Sequence, residues 1–267
     1  MQKGKSYMTA VDFASFVETL ATHSGDAILP FFRTSLAALD KSTNGDFDPV
    51  TEADRAGEVA MRRLINANFP SHGIIGEEFG AERREAEYVW VLDPIDGTKA
   101  FICGLPIWGT LIGLTHNGRP VYGMMNQPFS RERFSGDGQA ARYEGPAGRR
   151  TLRARACPKV SEAVISTTHP GMMAPAERQR YDRLETRAKL SRYGGDCYAY
   201  AMLAAGHIDL VVESGLNPYD IVAIIPIVEG AGGVITSWNG EDASSGGSII
   251  AAGDKRTHEE ALAILNS

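Results

Sequence analysis

Two aspartates, Asp93 and Asp96, stand three residues apart directly after a short apolar run of the sequence. The run, residues 88–92, contains β-branched and aromatic side chains and predicts a buried strand. Pro94 has no N–H to donate, so we expect the hydrogen bonding of the strand to stop there. The two carboxylates then lie on a turn at the end of the strand, where they repel each other unless a cation lies between them. Oxygen ligands of this kind suit a hard cation such as Mg²⁺.

Other acids occupy comparable positions along the chain. Residues 73–76 predict a short strand that ends at Glu77. Asp54 is spaced from Thr51 as in a capping box, and Asp220 falls in the first turn of a predicted helix. Each of these acids alone has an ordinary structural role, because the start of a helix favours a carboxylate. Taken together, Glu77, Asp93, Asp96 and Asp220 are four acids at strand ends and a helix start, a combination that separate structural roles explain less well.

The hydrophobic pattern predicts the elements that must position these acids. Apolar residues at helical spacing between 13 and 20 predict an N-terminal helix. Residues 107–115 and 120–126 predict two strands joined at Asn117-Gly118, a strong hairpin signal. We therefore expect an antiparallel sheet in the first half of the chain.

The second half has a different pattern. Residues 135–148 are Gly-rich and polar and predict a boundary, which divides the chain into parts 1–148 and 149–267. Beyond it, strands and helices alternate, which predicts an α/β layer and an α/β (α+β) fold class overall. Pro218 opens the last long helix, which Pro226 should kink.

Composition restricts the classes of partner. The 267 residues are 43% hydrophobic and 22% charged, as in a globular protein with a sizeable core. The net charge of −6 argues against nucleic acid or an acidic membrane as the main partner. It does not argue against a phosphate ester, because bound metal reverses the local charge. The sequence predicts neither a signal peptide nor a transmembrane helix, and three widely spaced cysteines predict a reduced, cytoplasmic protein.

Four motifs together resemble those of the inositol monophosphatase-like phosphatases. In chain order they are Val50-Thr51-Glu52-Ala53-Asp54, Gly76-Glu77-Glu78, Asp93-Pro94-Ile95-Asp96-Gly97-Thr98 and Tyr219-Asp220. The last motif departs from the Trp-Asp that inositol monophosphatases usually carry. With this departure and two further segments, the sequence resembles the histidinol-phosphatase branch of the family. The segments are Gly194-Gly195-Asp196-Cys197-Tyr198 and Ile225-Pro226-Ile227-Val228-Glu229-Gly230.

The resemblance implies a layered αβαβα sandwich, usually a homodimer, that hydrolyses phosphomonoesters with two or three Mg²⁺ ions per site. The N-terminal half would bind the metal and the C-terminal half would cover the substrate. The implied metal ligands are Glu77, Asp93, Asp96, Asp220 and the backbone carbonyl of Ile95.

The resemblance also implies roles around the reacting phosphate. Thr98 and Glu77 would hold the attacking water, with Asp54 in support. The amides of Gly97 and Thr98 would meet the phosphate, and Lys41 would approach from its loop. Such a site suits the chemistry, because phosphate monoesters hydrolyse extremely slowly unaided and charge cancellation with positioning must lower a large barrier.

The expected substrate is L-histidinol phosphate, an intermediate of histidine biosynthesis. Its ammonium and imidazole need an anionic partner when they leave water, and two acids outside the metal set, Asp196 and Glu213, stand at element ends. A helix cap for Asp196 and a solvated strand end for Glu213 are the ordinary alternatives. Asp196 discriminates better than Glu213 between substrates, because inositol phosphatases also use a Glu at the position of Glu213. Phosphatases of the same family for inositol 1-phosphate or a 3′-phosphonucleotide remain alternatives, as does a regulatory protein that binds RNA or a transcription factor.

Overall fold

A computed structural model of the protein describes residues 10–34, 39–40 and 49–267. The helices in these ranges are α1 (Ala10–Ile28), α2 (Glu52–Asn68), α3 (Thr98–Ile102), α4 (Pro175–Glu185), α5 (Asp196–Ala204), α6 (Pro218–Ile221), α7 (Ile224–Gly230) and α8 (Lys255–Leu265). The strands are β1 (Leu39–Asp40), β2 (Pro49–Val50), β3 (Gly73–Gly76), β4 (Gly80–Glu82), β5 (Tyr88–Asp96), β6 (Gly109–His116), β7 (Arg119–Gln127), β8 (Glu132–Gly136), β9 (Ala141–Gly145), β10 (Gly148–Thr151), β11 (Val164–Thr167), β12 (Leu190–Tyr193), β13 (Leu210–Leu216), β14 (Val234–Ser237) and β15 (Gly247–Ala252). Within the described ranges, no helix combines the length and the apolar character that crossing a bilayer requires.

The large sheet has eight strands in the order β10-β9-β8-β7-β6-β5-β3-β4. Its neighbours are antiparallel except for β3 and β5, which run parallel with Gly76 opposite Leu92. The N–H of Glu77 donates to the Leu92 carbonyl at 3.2 Å, which continues this pairing by one residue. The two strands therefore end at the same level, and Glu77 and Asp93 emerge side by side.

The small sheet has five strands in the order β12-β11-β13-β15-β14. β11 runs parallel to both β12 and β13, and Ser166 lies opposite Val211. This register brings the end of β11 beside the middle of β13, where the N–H of Thr168 donates to Glu213 at 3.0 Å. A second edge of carboxylates and hydroxyls thus forms on the small sheet.

Alternating apolar side chains divide the molecule into five layers, which confirms the predicted αβαβα sandwich. α1 and α2 pack on one face of the large sheet. α5 and α7 lie between the two sheets, and α4 and α8 cover the outer face of the small sheet. Along β13 the alternation is direct: Val211 faces the middle layer, whereas Leu210 and Val212 face the outer helices.

The start of α2 matches the predicted capping box. The Thr51 hydroxyl accepts the N–H of Ala53 at 3.1 Å, and the Asp54 carboxylate accepts the N–H of Thr51 at 2.8 Å. Met61 and Ile65 on the inner face of the helix are fully buried against the large sheet. The cap and this buried face together fix Asp54 relative to the sheet.

The predicted end of β5 at Pro94 is wrong, because the strand continues to Asp96. Asp93 pairs with Leu111 and Asp96 pairs with Gly109, so β5 has one residue more than its partner and forms a β-bulge. Pro94 lies inside the bulge, where its missing N–H interrupts no ladder bond. The bulge carries both carboxylates at the end of the strand.

Residues 135–148 do not form a loop between two parts of the chain. They lie in β8, β9 and β10 and in the two turns that join these strands, an antiparallel meander that extends the large sheet to Thr151. The small sheet begins at Val164. The division into halves at residue 148 stays a prediction, while the sheet boundary lies between residues 151 and 164.

The predicted last long helix is two short helices. α6 and α7 are separated at Val222 and Ala223. Pro226 has no N–H to donate to the carbonyl four residues earlier, at Val222, so a continuous helix loses a bond there. α8 was not predicted; it begins where the Asp254 carboxylate accepts the N–H of Arg256 at 2.9 Å.

Candidate active site

A cavity of about 320 Å³ lies where the ends of β3, β5, β11 and β13 meet the starts of α3, α5 and α6. Both sheets contribute to its wall. Lys41 lies outside the described residues. The predicted site residues that line the cavity are Glu77, Asp93, Ile95, Asp96, Gly97, Thr98, Asp196, Glu213 and Asp220.

Three carboxylates form the centre of the cavity. One oxygen each from Asp93, Asp96 and Asp220 lie within 4.8 Å of one another. Backbone amides hold all three: Asp93 accepts the N–H of Ile95 at 3.0 Å, and Asp96 accepts the N–H of Cys197 at 2.6 Å. Asp220 accepts the N–H at position 217, also at 2.6 Å. The cluster is therefore fixed by three separate stretches of backbone.

The electrostatics of this cluster fit a divalent cation. Burial raises the pKa of Asp93 well above its usual range, and the charges of Glu77, Asp96 and Asp220 raise it further. Burial also raises the pKa of Asp96, followed by the charges of Asp196 and Asp220, while hydrogen bonds from Cys197 oppose the shift. Carboxylates this close are unfavourable together in the charged state unless a cation offsets their charge. The oxygen-only donor set suits Mg²⁺.

Glu77 lies next to this cluster rather than within its closest group. It begins the three-residue turn between β3 and β4, and its carboxylate is partly buried in the cavity wall. Its charge is the largest electrostatic contribution to the raised pKa of Asp93 after burial. The parallel register of β3 and β5 accounts for this proximity.

Asp54 lies behind the cavity wall and is 1% exposed. Its Oδ2 accepts both the N–H of Thr51 at 2.8 Å and the Thr51 hydroxyl at 2.6 Å. Its charge contributes to the raised pKa of Asp93, so it lies within electrostatic reach of the cluster. The capping role is thus present in the structure together with proximity to the aspartate cluster.

The segment after β5 brings backbone and hydroxyl groups to the cavity. Gly97 has φ of 84°, a left-handed conformation, and a Cβ there would lie 3.1 Å from the Asp196 side chain. A residue with a side chain would be strained at this position. The Thr98 hydroxyl donates to the Ile95 carbonyl at 3.0 Å, so this carbonyl, a predicted ligand, and this hydroxyl are in direct contact.

Asp196 and Glu213 face the cavity from the small-sheet side. Burial raises the pKa of Asp196 to about 6, although Lys99 and Thr168 act in the opposite direction. Glu213 is 6% exposed; Thr168 donates to one of its oxygens from the N–H and the hydroxyl, and the Tyr200 hydroxyl donates to the other at 3.0 Å. Burial raises the pKa of Glu213 as well. Glu213 is therefore built into a network, whereas Asp196 is the freer of the two.

Several residues on the wall were not predicted. Lys99 follows Gly97-Thr98 directly, and its nearness to the motif was an available signal. Thr168 and His169 come at the end of a predicted strand, the same position that identified Glu77. Nothing in the sequence pattern indicated Met172, which lies on the wall although it is 59% exposed.

Tyr198 belongs to a predicted motif but does not line the cavity. Its hydroxyl donates to Glu132 on β8 at 2.7 Å, and its ring packs edge-on against Phe134. The Tyr143 hydroxyl donates to the same carboxylate at 3.1 Å. Tyr198 thus anchors α5, the helix that begins at Asp196, to the large sheet.

Comparison with known proteins identifies the family to which the chain belongs. The sequence profile of the inositol monophosphatase family matches residues 10–267. The chain is 44% identical to the bifunctional phosphatase IMPL2 of Arabidopsis thaliana, over 95% of this chain and 75% of the relative, and 33% identical to a histidinol-phosphatase of Mycobacterium tuberculosis, over 88% and 92%. The solved structure of an inositol monophosphatase from Zymomonas mobilis superposes with a TM-score of 0.86 at 40% identity, covering 98% of this chain and all of the other. The chain is therefore a member of the inositol monophosphatase family of phosphatases.

Proposed function

We propose that this phosphatase hydrolyses L-histidinol phosphate to L-histidinol and phosphate with Mg²⁺ as its cofactor. The observation that carries the proposal is the presence of Asp196 and Glu213 in the same cavity as the three-aspartate cluster. The cluster accounts for the phosphate end of a substrate, and the two further acids account for a cationic end. The similarity to a histidinol-phosphatase supports the same substrate.

The charges on the cavity wall favour a substrate with a cation. Six carboxyl side chains line the cavity. Among the described lining residues, Lys99 is the one side chain of the lysine or arginine type. Divalent ions would offset the charge of Glu77 and the three aspartates. Lys99 offsets only part of the charge of Asp196, and Glu213 is engaged by hydroxyl groups and an N–H rather than by a cation. A buried negative charge is costly unless it is paired. The ammonium and imidazole of histidinol supply that pairing, whereas the hydroxyls of inositol do not.

The metal would be held by the residues of the central cluster. The proposed ligands are the four carboxylates Glu77, Asp93, Asp96 and Asp220 and the Ile95 carbonyl. Bound Mg²⁺ would supply positive charge that offsets the phosphate oxygens and eases the ionisation of a water molecule.

The chain's own groups would then orient the reaction. The Thr98 hydroxyl donates to the Ile95 carbonyl, so its oxygen is left to accept a hydrogen from the attacking water. Glu77 would take the other proton of this water while the oxygen attacks phosphorus and the ester bond breaks, and the released histidinol oxygen would take up a proton from solvent. Asp54 would support this arrangement from behind, and the N–H groups of Gly97 and Thr98 would contact the phosphate.

A second candidate substrate is inositol 1-phosphate. It is favoured by the 40% identity to the Zymomonas mobilis inositol monophosphatase, which exceeds the identity to the histidinol-phosphatase. Glu213 is compatible with either substrate, because a carboxylate accepts a hydrogen bond from a hydroxyl as well as from an ammonium. Asp196 is the residue we use to separate the two candidates, because its segment is the one that resembles the histidinol-phosphatase branch.

Assembly and compartment are part of the proposal. We propose a homodimer, supported by a surface with exposed apolar side chains at Ile102, Leu105 and Phe129, where Arg33 packs over the Phe129 ring. Sedimentation of the purified protein at twice the chain mass would support this assembly, and sedimentation as a monomer would contradict it.

The three cysteines are unpaired, which fits a reducing, cytoplasmic environment.

The substrate is tested by phosphate release from a panel of esters, with and without Mg²⁺. The panel contains L-histidinol phosphate, inositol 1-phosphate, a 3′-phosphonucleotide and 4-nitrophenyl phosphate. We expect kcat/KM to be highest for histidinol phosphate and activity to be lost in EDTA. Faster hydrolysis of inositol 1-phosphate would make the second candidate the substrate, and full activity in EDTA would contradict the metal site.

A further inference from the structure

A buried ion pair lies beneath the turn that carries Glu77. Glu58 is fully buried and Arg62 is 7% exposed, and both belong to α2. The Nε of Arg62 donates to Glu58 Oε1 at 2.6 Å. Burying a charged pair contributes little net stability compared with apolar residues of the same size. The position of this pair therefore calls for an explanation other than stability of the helix.

Glu58 binds the backbone of the turn directly. Its Oε2 accepts the N–H of Glu78 at 2.7 Å, and its Oε1 accepts the N–H of Phe79 at 3.3 Å. The carboxylate also packs against Gly76, where an added Cβ would lie only 2.0 Å from Oε1. Glu58 thus contacts the residue before Glu77 and the two residues after it.

Arg62 binds the returning strand of the same hairpin. Its guanidinium donates to the Gly80 carbonyl, and it forms an ion pair with Glu82 at 2.7 Å. Gly80 pairs with Gly76 in the register of β3 and β4, so Arg62 holds the far side of the turn. Phe79, at the tip, is 49% exposed and contributes little packing that would hold the turn instead.

We propose that Glu58 and Arg62 are positioning residues for Glu77, which fix its turn so that its carboxylate meets Asp93 at the cation site. The proposal rests on the Mg²⁺-dependent function proposed above. Glu58 does not line the cavity, so it acts only through the backbone of residues 76–79. Outer partners that orient metal ligands typically change metal affinity by roughly 10–100-fold when they are removed.

The test is Glu58→Gln, with Mg²⁺ binding measured by calorimetric titration of the protein without substrate. The amide keeps the size of the side chain but loses the charge that pairs with Arg62, and it has only one oxygen to accept from the turn amides. We expect the Kd for Mg²⁺ to rise roughly tenfold or more. At saturating Mg²⁺ most of the lost kcat should return, because the reacting groups themselves are unchanged.

Asp209→Asn is the matched control. Asp209 is also a buried carboxylate, 1% exposed, and it accepts from Arg155 and from the N–H of Val164 at 2.7 Å. It lies just before β13, away from the cavity. The Asp209→Asn variant should have its thermal unfolding temperature in EDTA lowered at least as much as Glu58→Gln, while its Kd for Mg²⁺ stays that of wild type.

The outcomes separate the two proposals. A Kd of folded Glu58→Gln within twofold of wild type would overturn the positioning role alone. Absence of Mg²⁺ binding by the wild-type protein would overturn the proposed function and this inference with it. If Glu58→Gln fails to fold, Arg62→Lys decides, because it keeps the positive charge beside Glu58 but loses the fork to Gly80 and Glu82. An unchanged Kd in that variant overturns the positioning role.

Discussion

Neutralising Asp196 should separate the effect of the cavity's charge on substrate preference from the effect of the cavity's shape. The change Asp196→Asn keeps the size of the side chain. Asp196 has φ of 44°, and Asn adopts this left-handed conformation as readily as Asp does. The side chain packs close to Gly97, where the asparagine would occupy the same space. The variant is therefore expected to fold normally and to differ in charge alone.

The expected magnitude follows from the surroundings of Asp196. Removing one partner of a desolvated charge pair costs about 2–5 kcal/mol. Asp196 is partly rather than fully buried, and Lys99 already offsets part of its charge, so the lower end applies. A loss of about 2 kcal/mol corresponds to roughly a 30-fold lower kcat/KM for histidinol phosphate.

The assay compares two substrates on the same variant. Kinetics at pH 8 and saturating Mg²⁺ keep wild-type Asp196 ionised, because its pKa is about 6. The kcat/KM for L-histidinol phosphate should fall, whereas that for 4-nitrophenyl phosphate, which has no cation, should change by less than about threefold. Glu229→Gln, which neutralises a carboxyl outside the cavity, is the control and should affect neither substrate.

Two results would refute the reasoning. An equal loss for both substrates would mean that Asp196 supports the reacting groups rather than the substrate's cation. No loss for histidinol phosphate would mean that no cation lies against Asp196. Glu213→Gln is less informative, because it also disturbs the hydrogen bonds from Thr168 and Tyr200 and so moves the wall of the cavity.

Three other changes test the cluster, the nucleophile and the fold. Asp93→Asn should abolish nearly all turnover while leaving the unfolding temperature in EDTA unchanged or higher, because it removes one of several repelling buried charges; retained turnover would contradict the ligand role. Thr98→Ala should lower kcat more than it raises KM, and the opposite pattern would mean that Thr98 only holds substrate. Asp254→Ala should cost about 1 kcal/mol in urea unfolding at pH 7, because it removes the cap of α8. The Arg256 hydrogen bond lowers the pKa of Asp254 to about 2, so the difference in unfolding free energy between wild type and variant should be lost as pH falls from about 4 toward 2. A difference that does not change with pH would contradict a stabilising role of the ionised Asp254 carboxylate.

The grouping of the acids at the ends of β3 and β5 could be predicted because its signals are local. Glu77 and Asp93 each follow a short apolar run, and parallel neighbours in a sheet end at the same edge. The register of Gly76 opposite Leu92 then brings the two acids together. Asp54 was placed by its capping box with Thr51, which is also a local signal.

Features that depend on a distant partner could not be predicted. In the bulge of β5 the Pro94 carbonyl accepts a hydrogen bond from the Thr110 hydroxyl at 2.8 Å, sixteen residues further along the chain. Nothing within residues 88–96 indicates this bond. The turn at Pro94 was predicted from proline alone, and proline is also compatible with a bulge.

Glycines that lie in strands contribute to the Gly-rich composition from which a boundary was predicted at residues 135–148. Gly136 lies in β8, and a Cβ there would approach the Pro226 carbonyl to 2.4 Å. Gly123 in β7 would likewise meet the Ala223 carbonyl at 1.8 Å. These glycines allow α7 and the residues before it to pack directly on the large sheet, so they mark close packing rather than a flexible loop.

The same distinction explains why the surroundings of Asp196 and Glu213 are harder to predict than the grouping of the aspartates. Asp196 was identified from sequence, but its environment is created by Lys99 from the large-sheet half and Thr168 from the small-sheet half. Glu213 looked equivalent in sequence, yet Thr168 and Tyr200 engage both of its oxygens. Two acids with the same formal charge therefore differ in the charge they offer to a ligand, and the packing of the two sheets creates that difference.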